Sequence, residues 1–206
     1  KGLMDYQYVI IPTGLTKDTW VQYIEAAPTD RSVVHHIVAY VRTPGSKYFR
    51  NMPIKTFFTA KEAAKFPDKH PDMVPDMGKE KTAENSADVP SDWLVGYAPG
   101  QTPDMYKNGQ AKLIPAGSDI VLELHYMPNG KAATTDQARL GIVYAKGPVT
   151  ERAMTLSANN DKFKIPPGDP NYQVDATYTV PEDMTLVGMH PHMHLRGKSA
   201  QYRIVF

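Results

Sequence analysis

The sequence predicts an all-β fold: an antiparallel, jelly-roll-like β-sandwich followed by the opening strands of a second, similar one. Three observations carry this. Apolar residues alternate with period two along several short segments, those segments are rich in Val, Ile, Tyr and Thr, and Pro/Gly clusters separate them. Alternation places one row of side chains on each face of a pleated strand, and short turns between such strands favour antiparallel pairing.

In chain order, the alternating segments are "YQYVII" at 6–11, "WVQYIEAAP" at 20–28, "VVHHIVAYVR" at 33–42, "DIVLELHYMP" at 119–128 and "RLGIVYA" at 139–145. One helix is expected at 59–66, "TAKEAAKF", where Thr59 and Glu62 form a capping box ahead of residues of high helix propensity. From 67 to 91 the chain turns to Asp, Lys, Pro and Met without period and reads as a long surface loop. "SANNDKFKIPPGDPNY" at 157–172 breaks the strand rhythm, so we divide the chain into a first sandwich at 1–160 and the start of a second at 161–206. The expected strands of the latter are "QVDATYTV", "MTLVGMHPHMHL" and "AQYRIVF". So short a segment buries too little surface to stand alone, and we expect the native polypeptide to continue past Phe206 or a partner chain to cover the sheet edge. A chain opening on Lys1 reads as processed or excerpted.

Composition removes whole classes of function. The 23 basic and 22 acidic residues of the 206 leave a net charge of +1, without the basic footprint of a nucleic-acid or anionic-membrane partner. No apolar run is long enough to span a bilayer. The absence of Cys excludes thiolate zinc, iron–sulfur and blue-copper sites together with disulfides, so a metal must be held by His, Met or carboxylate.

The histidines are the chemistry-bearing residues. Six of seven stand in three apolar segments: His35 and His36, His125, and His190, His192 and His194; His70 lies in a polar loop and reads as solvated. His125 alone reads as a hydrogen-bonded core residue. Adjacent strand residues face opposite ways, so His35 and His36 reach one ion only where the strand bends or ends. His192 and His194 are two apart on one strand face, a bidentate clamp for a metal. His190 shares that face, but Pro191 interrupts the ladder, and we read it as solvated or supporting. No carboxylate stands at the spacing of an iron triad, which leaves zinc and copper, and the nearby Met189 and Met193 incline the reading to copper, although both also suit a core. A zinc hydrolase needs a general base beside an open position; Glu123, two residues from His125, is the strand-borne carboxylate to check.

The segments "VVHHIVAYVR", "WLVGYAPG", "LELHYMPNGK" and "PHMHLRGK", in this order, resemble the copper type II ascorbate-dependent monooxygenases, the family of dopamine β-monooxygenase and peptidylglycine α-hydroxylating monooxygenase, and its bacterial branch in particular. The likeness runs from about Tyr6 to Phe206. It implies two β-sandwich domains, each with one copper. His35, His36 and His125 would hold the first copper as an electron reservoir. His192 and His194 would hold the second, where dioxygen binds and a substrate C–H bond is broken, and they are the expected catalytic residues.

The resemblance also implies an exported, periplasmic or extracellular protein. It would use ascorbate or another one-electron donor on a small-molecule or peptide-like substrate. The family's methionine ligand to the second copper falls beyond Phe206, so this chain alone is expected to be inactive. Trp93 occupies a family segment beside the first site and also reads as a core aromatic. Arg196 and Lys198 read as an exposed turn around Gly197, with a role in steering an anionic reductant or substrate as the alternative. The competing function is a non-catalytic copper-binding or structural β-sandwich module of a larger assembly.

Overall fold

The structure is a computed structural model that describes residues 4–65, 92–130, 133–160, 162–193 and 197–206. The chain falls into two units, divided between Leu156 and Ser157.

The first unit is an all-β sandwich. Its strands are β1 (Gln7–Pro12), β2 (Thr19–Ala27), β3 (Val34–Arg42), β4 (Phe58–Thr59), β5 (Asp92–Tyr97), β6 (Asp104–Met105), β7 (Gln110–Ile114), β8 (Asp119–Tyr126), β9 (Arg139–Tyr144) and β10 (Glu151–Arg152), with one helical turn, α1 (Ala60–Ala63). One sheet runs β4-β1-β8-β3-β5, with all its pairs antiparallel. The other is built on β2, which pairs antiparallel with β6, β7 and β9, while β10 adds to β7 in parallel.

All five long strands that alternation predicts are present. Between the sheets, Val9, Ile37, Ala39, Val41, Ile120, Leu122 and Leu124 of the first meet Val21, Ile24 and Ile114 of the second. The alternate residues of the first sheet do not face water. Tyr8, Ile10, Val38, Tyr40 and Val121 pack under Tyr48, Phe49, Met52, Phe58 and Ala63, from the stretch that follows β3 through β4 and α1. The central strands β1, β3 and β8 are therefore apolar on both faces, and a polar residue on the outer face is unusual enough to mark a site.

Arg42 clamps that covering segment. It is paired in register with Asp119 at the end of the β3–β8 ladder, and its Nη2 donates to Asp119 Oδ2 at 2.5 Å. Its Nη1 donates to the carbonyls of Phe49 at 3.0 Å and Tyr48 at 3.3 Å. Phe49 has φ of +52°, a left-handed conformation costly for a bulky residue. The Arg42 contact and the packing of its ring against Tyr8, Tyr48 and Phe58 hold it there.

The helix is shorter than the 59–66 expected. Thr59 is its N-cap, with both hydrogen bonds of the capping box formed, but the helix ends at Ala63 with Ala64 as C-cap. Phe66 and the 67–91 loop lie outside the described residues.

The three strands expected after residue 172 are a larger difference. Among the described residues of 157–206 there is no strand. Val174, Val180, Leu186, Val187, Ile204 and Val205 are exposed. A strand is defined by its partner's hydrogen bonds, and an alternating segment without a partner has apolar residues at the right spacing but no ladder.

Candidate metal centre

The site forms on the outer face of the first sheet, where β3 begins and β8 ends. On β8, Val121, Glu123 and His125 share that face, because Ile120, Leu122 and Leu124 point into the sandwich. On β3, His36, Val38 and Tyr40 share it by the same parity. His36 stands directly opposite His125 in the antiparallel register.

His35 should face the other way. It does not, because the β3–β8 register shifts by one residue between Val34 and His36: Val34 pairs with Tyr126 and His36 with His125, leaving His35 as the extra residue of a β-bulge. The bulge is how two adjacent imidazoles turn toward one point, the bend that the sequence requires of them.

His35, His36 and His125 each offer one ring nitrogen within 4.8 Å of the others. The ring centroids form a nearly equilateral triangle of 5.3, 5.0 and 5.0 Å, with ring planes inclined at 65°, 66° and 69°. Nitrogens at ~2.0–2.1 Å from one ion, with centroids about 1.1 Å behind them, put three tetrahedrally disposed rings about 5 Å apart. The triad therefore has the proportions of a three-histidine site. Its electrostatics agree: the Nδ1 atoms of His35 and His36 are 3.0 Å apart, and two lone pairs at that distance require a proton or a cation between them.

Glu123 lies behind His36. Its Oε1 is 3.5 Å from His36 Nε2, the nitrogen on the far side of the ring from the Nδ1 pair. The side chains of His36 and Glu123 are only 15% and 17% exposed, so little water competes for this contact. Around the carboxylate stand three phenols. Tyr8 stands directly opposite Glu123 in the β1–β8 register. Burial first, and then the Glu123 charge, push the hydroxyls of Tyr6, Tyr8 and Tyr40 upward, so they stay protonated. Tyr6 also packs on the triad, its ring centroid 4.4 Å from that of His125 and 5.5 Å from that of His36.

His192 belongs to the second unit and, like His190, is exposed; His194 lies outside the described residues, as do His70 and Arg196. Met189 and Met193 are half exposed, at 45% and 46%. Lys198 donates to Asn171 Oδ1 at 2.9 Å. Trp93 packs on Tyr40 in the outer aromatic layer, with a centroid distance of 6.1 Å. Tyr6 and Tyr8 were not singled out by the histidine-led reading; their signal is two tyrosines two apart at the start of a strand, on the face that carries the site. Comparison of the chain with protein-family models and with curated proteins finds no match.

Proposed function

We propose that this protein is a copper-dependent monooxygenase. In this reading it hydroxylates a substrate C–H bond with dioxygen and an external one-electron reductant such as ascorbate, and works outside the cytoplasm. The observation that carries the reading is the bulge-built triad of His35, His36 and His125: three imidazoles grouped with no carboxylate among them. Copper held there supplies a one-electron redox couple.

The residues contribute the rest. The bulge aims His35 beside His36, the facing register brings in His125, and Tyr6 packs on the two partly buried rings. Glu123 faces the ring edge of His36 that is remote from the Nδ1 pair, the place of an orienting group and not of a base acting on a metal-bound water, which weighs against a zinc hydrolase. His192 and His194 are assigned to the second copper and to catalysis by the sequence resemblance alone.

The test is copper-dependent oxygen consumption coupled to hydroxylated product. His192→Ala should abolish hydroxylation and leave one copper at the triad, with circular dichroism as the folding control. Unimpaired turnover in a folded His192→Ala protein would remove His192 from the mechanism. A second reading, a copper-binding module without turnover, is favoured by the exposure of His192 and the absence of strands among the described residues of 157–206. Copper uptake without oxygen consumption would select it.

A further inference from the structure

We propose that Glu123 is the positioning residue of the metal centre. Its carboxylate accepts the Nε2 proton of His36 and so leaves the Nδ1 lone pair directed at the ion, while the Tyr8 phenol holds the carboxylate in place. The inference rests on the triad being a metal site and goes beyond it, because it assigns a task to residues that are not ligands.

Three observations converge on it. The two ring nitrogens of His36 face different partners, Nδ1 toward His35 Nδ1 at 3.0 Å and Nε2 toward Glu123 Oε1 at 3.5 Å. A carboxylate accepts and cannot donate, so the proton of a neutral His36 belongs on Nε2. The second observation is placement. Glu123 is directly opposite Tyr8 on one side and Val38 on the other, on a face otherwise filled by apolar and aromatic residues. A carboxylate in such a layer needs donors: the imidazole of His36 lies 3.5 Å from it, and Tyr8 faces it across the β1–β8 pair.

The third is rigidity. Glu123, Tyr8 and His36 all sit on central strands of one five-stranded sheet, so their spacing is set by the ladder and not by a loop. An anion behind the ring also makes the imidazole a stronger donor to a cation in front of it.

The experiment uses the full chain and Cu(II) alone as the probe, with long-range nitrogen–proton NMR of the metal-free protein at a fixed alkaline pH to read the His36 tautomer. In the native protein His36 should carry its proton on Nε2. Glu123→Gln keeps an acceptor oxygen; it should retain the tautomer and bind Cu(II) within a few-fold of native. Glu123→Leu removes the acceptor; it should populate both tautomers and bind Cu(II) about 10–100-fold more weakly. Should the leucine variant fail to fold, Tyr8→Phe serves instead. Losing the phenol that aims the carboxylate should weaken Cu(II) binding several-fold and blur the tautomer preference.

A native His36 with its proton on Nδ1 would overturn the proposal. So would an unchanged tautomer and affinity in Glu123→Leu, or a glutamine variant as impaired as the leucine one. A native chain that binds no Cu(II) would instead overturn the metal-centre reading, and the metal-free tautomer would still report on Glu123.

Discussion

Single atoms decide whether the outer face of the first sheet holds together around the site. Gly96 on β5 has no Cβ, and one built there would lie 3.0 Å from Cζ2 of Trp93, which packs edge-on against Tyr40. Tyr40 in turn belongs to the layer that encloses Glu123. The glycine in "WLVGYAPG" is thus a steric requirement of the aromatic layer, and nothing in its conformation calls for a positive φ. Gly96→Ala should force the indole aside and cost about 1–3 kcal/mol, as overpacking does. Urea denaturation measures this, and an unchanged midpoint would show that Trp93 moves without resistance. His125 shows the converse, since its neighbours and not its own type distinguish a ligand from a satisfied core histidine. Only the register that sets it opposite His36 makes the distinction.

At the scale of elements, the entrance to β3 matters most, because the bulge at His35 follows directly from it. The turn before β3 is tied to the segment between β8 and β9 by Asp136, whose Oδ1 accepts from Thr29 N at 2.8 Å, Thr29 Oγ1 at 3.0 Å and Asp30 N at 2.9 Å. Tyr126, at the end of β8, donates to Asp136 Oδ2 at 3.3 Å. Burial, then the Asp136 charge and this hydrogen bond, push the Tyr126 hydroxyl up to about 12 from its ordinary 10.0. The folded state therefore holds that proton more tightly than the unfolded chain. The stabilisation is complete below pH 10 and is lost as pH rises toward 12. Tyr126→Phe should show a smaller fall in urea midpoint across that interval than native protein, and equal falls would remove Tyr126 from the alkaline response.

The same elements show what was legible in the sequence. β1, β2, β3, β8 and β9 are long enough for alternation to show, and each lies within two residues of its expected limits. β5 was quoted for its motif and not as a strand, since a tryptophan and a glycine interrupt its aliphatic run. β7 hides behind Lys112, which reads as a surface residue but is buried, its Nζ donating to the Trp93 carbonyl and to Thr155 Oγ1. β4, β6 and β10 have two residues each, too few for any period. Of the site, the need for a bend at the histidine pair could be stated from parity, and Glu123 stood out by sharing a face with His125. The partner strand that makes the bend a bulge is set by long-range pairing, which local pattern does not encode.

Taken whole, the first unit organises its site by covering both faces of one sheet. The second sheet closes the inner face and the Arg42-clamped segment closes the outer one, so the triad opens at the strand ends beside a packed aromatic layer. The described part of 157–206 is built differently, without a ladder, and holds His192 on an exposed stretch. The account therefore stands on the first unit: the bulge at His35 assembles a three-histidine metal centre. Copper-edge anomalous diffraction from crystals of the full chain grown with Cu(II) tests that claim most directly. It should show a peak on the outer face of the first sheet, ~2.0–2.1 Å from Nδ1 of His35, Nδ1 of His36 and one nitrogen of His125. A copper-loaded crystal with no peak among these three rings, or with His36 turned to bind through Nε2, would contradict it.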